Sequence, residues 1–136
     1  MPRRRHISRI AAMQTLYELE RRNVDGAKSL ERNIAEFEDC DKDFADKLLR
    51  GVLEQRENLV KSIEEFAPGW TFARMDPVSR CILLIGAYEI LHAKDAPPAV
   101  VMDEAIEIAK EYGMAESGKF VNGVLNAMAK GMKHEA

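Results

Sequence analysis

The first residues whose types and spacing could do chemistry are a run of alternating acids. Asp39, Asp41 and Asp43 alternate as the oxygen ligands of a calcium-binding loop do. Such a loop has Gly at its sixth position and Glu at its twelfth, but the chain has Phe44 and Arg50 there. We therefore exclude an EF-hand site and predict that Asp41 or Asp43 caps a helix.

The other polar groups do not form a catalytic or metal-binding pattern. Ser117-Gly118-Lys119 ends like a phosphate loop, but the upstream glycine and strand of such a loop are missing. Cys40 and Cys81 are too far apart for a CxxC zinc site and fit a reducing cytosol. The histidines are also widely separated, at His6, His92 and His134. We expect no metal, no cofactor and no enzymatic activity.

One acid stands inside the apolar run Cys81–Leu91. A bare carboxylate at Glu89 would be costly to bury there. Glu89 is either a catalytic acid or a carboxylate paired with a neighbouring helix or its N-terminus. No second acid, base or metal ligand accompanies it, so we favour the structural interpretation.

The distribution of charge favours a polyanion as ligand. The first nine residues contain no acid, and the rest of the chain has 16 of the 20 Lys and Arg residues against all 23 acids. A basic N-terminus on an acidic body is typical of proteins that hold a nucleic acid at one end, although a solvated tail is the alternative. Its basic residues are Arg3, Arg4, Arg5 and Arg9.

Two aromatic residues flank a predicted turn between helices. Tyr112 ends one helix and Phe120 begins the next, with Lys119 beside it. Aromatic rings beside a lysine can stack on unpaired bases, whereas the alternative is that both rings belong to the core. Tyr112 lies on an apolar stripe, but Phe120 is one residue away from the stripe marked by Val121 and so is the better candidate for exposure.

The elements that must position these residues are helical almost throughout. The hydrophobic period matches helices, and no segment shows sustained alternation of apolar and polar residues. We predict an all-α fold. Its helices run from Ser8 to about Arg22, through Leu30–Phe37, from Asp41 or Asp43 past Ile63, from Val78 to about His92, from Ala99 to Tyr112 and from Ser117 onwards.

The best candidate boundary is the breaker Ala67-Pro68-Gly69. It predicts one domain of two sub-bundles, about residues 1–67 and 68–136, that share a core. The chain has no apolar run of the roughly 18 residues that a membrane helix needs and no secretory signal at its start, so we expect a cytoplasmic protein.

Short segments, in order along nearly the whole chain, match those of a known family. They are the Arg-rich start with Ala12–Tyr17, then Pro68, Trp70, Arg74 and Arg80–Leu83, then Ala87–Ile90, Asp103–Gly113 and Phe120–Leu125. Together they resemble the NusB family of bacterial transcription antitermination factors. The spacing from Glu104-Ala105 to Phe120–Leu125 is the most specific part of the resemblance.

The resemblance implies two three-helix bundles and no catalysis. It also implies that the chain binds single-stranded boxA-type leader or ribosomal RNA together with NusE, a small-subunit ribosomal protein, and so acts indirectly on the elongating RNA polymerase. Carried over by position, the RNA contacts would be Arg3, Arg4, Arg5, Arg9, Tyr112, Lys119 and Phe120. Tyr17 and Arg80 would contact the protein partner.

Three positions depart from the family's pattern. Ser79 replaces a frequent acid near the expected partner contact, Leu84 replaces a frequent Arg, and Asp103 replaces a frequent Asn. The alternative function is a helical interaction module that binds proteins without RNA. A homodimer that hides the basic N-terminus also stays open at this point.

Overall fold

The computed structural model describes the backbone of residues 2–135 and the side chains of residues 4–131. Within them the structure is helical, with no strand, and the predicted all-α class is confirmed. The α-helices are α1 (Pro2–Arg21), α2 (Gly26–Ala35), α3 (Lys42–Glu54), α4 (Arg56–Glu65), α5 (Pro77–Tyr88), α6 (Pro98–Tyr112) and α7 (Ser117–Glu135). A 3₁₀-helix spans Phe72–Arg74, and a π-helix spans Glu89–Ala93.

The first compact unit, Met1–Glu54, is a three-helix bundle. Helix α1 packs against both α2 and α3, as a bundle of amphipathic helices requires. The Glu18 carboxylate at the end of α1 accepts hydrogen bonds from the Ser29 hydroxyl, at 2.7 Å, and from Arg32. These donors lower the pKa of Glu18, Arg32 the most. The buried core of the unit comprises Ile10, Met13, Leu16, Leu30, Ile34, Phe44, Leu48, Leu49 and Val52.

The second unit, Gln55–Ala136, is built around α5. Every residue of Cys81–Ala87 is buried, and α5 packs against α4, α6 and α7, so the prediction of a central apolar helix is confirmed. Gly86 permits a close approach to α7, because a Cβ there would lie 2.8 Å from Leu125 Cδ1. Buried residues of the surrounding helices include Leu59, Ile63, Val101, Ile108, Val121, Val124, Leu125 and Met128.

The division between the units differs from the predicted one. The long third helix of the prediction is two helices, because the backbone of Gln55 leaves helical geometry at φ −105° and ψ 13°. The compact units consequently meet at Glu54 and Gln55 rather than near residue 67. No Gly or Pro marks this break in the sequence, and the Ala67-Pro68-Gly69 breaker lies within the second unit.

Aspartates begin the helices where the sequence predicts them. Asp41 Oδ1 accepts a hydrogen bond from the Phe44 N–H at 3.1 Å, which caps α3. Asp76 Oδ1 accepts one from the Ser79 N–H at 3.0 Å, and Pro77 occupies the first position of α5. The last turn of this segment is a π-helix, an element that the sequence analysis does not predict.

Candidate nucleic-acid interface

A tight turn joins α6 to α7. The Gly113 N–H donates to the Ala109 carbonyl at 2.8 Å, and a Cβ at Gly113 would lie 2.8 Å from Ser117 Cβ, so glycine is needed for this approach. Ser117, which the sequence predicts as a helix cap, is the first residue of α7. Its buried hydroxyl accepts a hydrogen bond from the Met114 N–H at 2.9 Å and so closes the turn.

A cation-lined cleft, here called the lysine cleft, lies at this turn. Lys110 and Lys119 are both exposed, and the exposed amide side chain of Asn122 adds donors and an acceptor. No carboxylate lines the cleft among the described residues, so its charge favours an anion such as phosphate. Its remaining lining is Ile106, Gly113, Met114, Ala115 and Gly118.

The ring of Tyr112 is available at the end of α6. Its side chain is 40% exposed, although the apolar stripe of α6 also permits a core position. Partial burial raises the pKa of the Tyr112 phenol, and the neighbouring Glu111 raises it further. The phenol is therefore neutral at neutral pH, and its O–H can donate a hydrogen bond.

Phe120 is half-buried at the start of α7, between the stacking and the core interpretations of the sequence. Its ring centroid lies 5.1 Å from that of Trp70, with the planes tilted by 57°. Trp70 is 47% exposed and is a residue that sequence reasoning did not place at the site. The two rings are far apart in the sequence, so only the fold brings them together.

These rings line a second cleft, the aromatic cleft, which shares Met114, Ala115 and Lys119 with the lysine cleft. Met114 is 71% exposed and is the most exposed large apolar residue described. The aromatic cleft differs in charge from its neighbour, because two carboxylates accompany the single lysine. Its other lining residues are Met75, Asp76, Glu116 and Ser117.

The basic N-terminus forms the first turns of α1 in the other unit. Arg4 and Arg5 are exposed. Arg4 Nε lies 3.0 Å from Asp39 Oδ1, and the Arg5 guanidinium lies 4.4 Å from the centre of the Phe44 ring. Arg9 is only 4% exposed and packs over the same ring at 5.1 Å, so it offers almost no surface to a ligand.

The side chain of Arg3 lies outside the described residues. The structure thus brings Lys119 and Phe120 together at the turn that begins after Tyr112, and it presents Arg4 and Arg5 separately on α1. The RNA-binding role of each of these residues stays a prediction.

The two residues predicted to contact a protein partner are each half-buried. Tyr17 lies under the Arg21 guanidinium, which is 4.5 Å from its ring centre. Arg80 donates hydrogen bonds to the carbonyls of Ala73 and Met75, at 3.0 and 2.9 Å, and so holds the segment before α5. Their partner contacts also stay predictions.

Glu89 does not stand out as a catalytic acid. It is 2% exposed at the start of the π-helix, and it has an interaction within the protein. A paired, buried carboxylate is what the structural interpretation of the sequence expects. Among the described residues, none of the helices combines the length and apolarity required to cross a membrane.

Comparison with known proteins agrees with this architecture. The family model "NusB family" matches residues 6–130. The transcription antitermination protein NusB of Thermobifida fusca is 41% identical over 124 residues, which are 91% of this chain and 87% of that protein.

Solved structures are similar over the whole chain. A structure of T. maritima NusB is 37% identical with a TM-score of 0.84, and the match covers 100% of this chain and 99% of that one. A crystal structure of the antitermination factors NusB and NusE in complex with dsRNA is 28% identical. Its TM-score is 0.86, and the match covers 96% of this chain and 99% of that one.

Proposed function

This chain belongs to the NusB family, and from that premise we propose that it is a non-catalytic RNA-binding adaptor of transcription antitermination. It binds boxA-type single-stranded leader or ribosomal RNA together with the ribosomal protein NusE. The pair then acts on the elongating RNA polymerase in the bacterial cytoplasm. A solved relative that contains NusB, NusE and dsRNA supports both partners.

The observation that carries the RNA-binding part of the proposal is the lysine cleft. Lys110 and Lys119 face one cleft without a carboxylate among its described lining, on a chain whose net charge is −3. A local excess of positive charge on an acidic protein is informative, because it attracts phosphate against the overall field.

The exposed aromatic rings favour unpaired RNA over a duplex. Tyr112 and Trp70 are 40% and 47% exposed. Such rings stack on bases only where those bases are splayed out of a helix, as in single strands and loops. The proposed ligand is therefore the single-stranded boxA element, and its phosphates lie against the lysines.

The test is the salt dependence of binding to a short boxA-like RNA by the full chain. We expect the double variant Lys110→Gln/Lys119→Gln to bind more weakly. Each lost phosphate contact on a single strand flattens the log–log salt slope by about 0.7, so the slope falls by up to about 1.4. Fluorescence anisotropy at several salt concentrations gives this slope.

The matched control removes the same charge elsewhere in the same unit. Lys61 and Lys130 are exposed and line neither cleft. Lys61→Gln/Lys130→Gln should leave the slope within about 0.3 of the unmodified protein, well under one contact. Equal slopes for the two double variants would contradict the role of the lysine cleft, and undetectable RNA binding by the unmodified protein, with NusE present, would favour a protein-only interaction module.

A further inference from the structure

The aromatic cleft contains an exposed tryptophan that the fold does not bury. Trp70 is the sole tryptophan of the chain, and nearly half of its surface faces solvent. Its ring meets Phe120 at a tilt of 57°, so one ring contacts the other without covering it. Met114 on the same cleft is 71% exposed. Large apolar side chains gathered in an open cleft favour a ligand with a flat apolar surface.

The charges of the two adjacent clefts divide the parts of such a ligand. The lysine cleft has two ammonium groups and no carboxylate among its described lining. The aromatic cleft has Lys119 but also the carboxylates of Asp76 and Glu116, which repel a phosphate. A neutral, flat group is therefore favoured in the aromatic cleft and an anionic group in the lysine cleft, with Lys119 common to both.

A nucleotide combines these two parts in one covalent unit. We propose that the aromatic cleft receives one unpaired RNA base, stacked on Trp70 and Phe120, while a phosphate attached to the same nucleotide lies in the lysine cleft. The inference rests on the proposed function and adds a base-binding subsite in which Trp70 is a ligand contact. A protein side chain could fill the aromatic cleft alone, but it would leave the lysine cleft without an anion.

The first experiment uses the unmodified full chain, because Trp70 is its only indole. A base stacked on an indole quenches its fluorescence. Titration with boxA-like single-stranded RNA should therefore quench the emission with the same Kd that anisotropy of labelled RNA gives. NusE added without RNA should leave the emission largely unchanged. RNA binding that is complete by anisotropy but silent in fluorescence would overturn the subsite.

The second experiment locates the base. Single abasic substitutions along the RNA should include one position at which affinity falls about 5- to 150-fold, as expected for the loss of one stacked base. The variant Trp70→Ala should weaken binding of intact RNA to a similar extent. It should be insensitive to the abasic change at that one position, because both changes remove the same contact.

The control variant is Val100→Ala. Val100 is 44% exposed in the same unit and lines neither cleft. It should not change RNA affinity. Additive losses from Trp70→Ala and every abasic position would overturn the subsite even if Trp70→Ala is less stable, because the cycle compares two RNAs on one protein. Emission that NusE quenches and RNA does not would assign the cleft to a protein partner.

The two levels of the proposal fail separately. If no RNA binds under any condition, both the proposed function and the subsite are wrong. If RNA binds with the salt dependence of the lysine cleft and Trp70 does not respond, only the subsite is wrong.

Discussion

At the scale of single residues, Tyr112 shows how partial burial sets the state of a contact group. Its phenol is held neutral because burial, and then the charge of Glu111, oppose loss of the proton. A neutral phenol can donate to a phosphate oxygen, whereas a phenolate would repel it. The same environment that exposes 40% of the side chain thus keeps it compatible with RNA.

We expect Tyr112 to ionise above the usual value of 10.0. Below pH 10 the phenol is protonated in both the folded and the unfolded chain, so stability is unaffected. Above it the unfolded chain loses the proton first, so stability falls as pH rises through the raised folded pKa. Ultraviolet titration of the phenolate, taken as the difference between the protein and Tyr112→Phe, measures this pKa. A difference midpoint at or below 10.0 would contradict the expectation.

Helical phase predicts exposure well when a residue lies clearly on or off a stripe. Phe120 is one position away from Val121, and the structure places it half-buried while Val121 is fully buried. Arg9 is a different case, because the apolar face of α1 carries it onto Phe44 despite its charge. The pairing of Trp70 with Phe120 depends on the packing of distant segments, so no local pattern could predict it.

At the scale of elements, α1 presents two of its N-terminal arginines and packs another. Arg4 is paired with Asp39 on the surface, with 45% and 62% of the two side chains exposed. An exposed pair of this kind contributes about 0–1 kcal/mol, so a phosphate can displace Asp39 at little cost. Arg4 and Arg5 are accordingly the described residues of the basic N-terminus that can add to RNA binding.

The variant Arg4→Gln/Arg5→Gln tests this contribution. We expect it to flatten the salt slope of RNA binding by up to about 1.4, which corresponds to two phosphate contacts. Arg21→Gln/Arg22→Gln removes the same charge from exposed positions at the other end of α1 and should change the slope much less. Thermal unfolding by circular dichroism shows whether each variant retains the fold. Similar slopes for the two variants would mean that only net charge matters.

The ends of helices were predictable where the chain supplies a dedicated capping residue. Asp41 and Asp76 cap α3 and α5 through their carboxylates. The break at Gln55 was not predictable, because neither Gly nor Pro is present and the apolar period continues across it. The same holds for the π-helix Glu89–Ala93, whose wider turn leaves no mark in the hydrophobic pattern.

At the scale of the whole molecule, the balance of charge limits RNA binding by the chain alone. The net charge is −3, and the basic residues of the first nine positions are outweighed by the acids that follow. Long-range repulsion should therefore keep affinity for RNA low until a basic partner adds positive surface. The acidic composition and the basic N-terminus were both readable from the sequence, whereas the lysine cleft required the fold.

We expect saturating NusE to increase the affinity of the chain for boxA-like RNA. Because the linkage is reciprocal, RNA must increase the affinity for NusE by the same factor. Isothermal titration of each ligand, with and without the other, measures both factors. Equal RNA affinity in the presence and absence of NusE would contradict this coupling.

The burial of α5 on every side has a consequence for the rate at which its amides exchange with deuterium. Residues Cys81–Ala87 contact solvent only when the second unit opens as a whole, so their slowest exchange measures that opening. A ligand that binds only the closed state slows this exchange by the factor 1 + [L]/Kd, even where it touches no atom of α5. The most hidden helix of the protein is thus a remote gauge of how fully its surface is occupied.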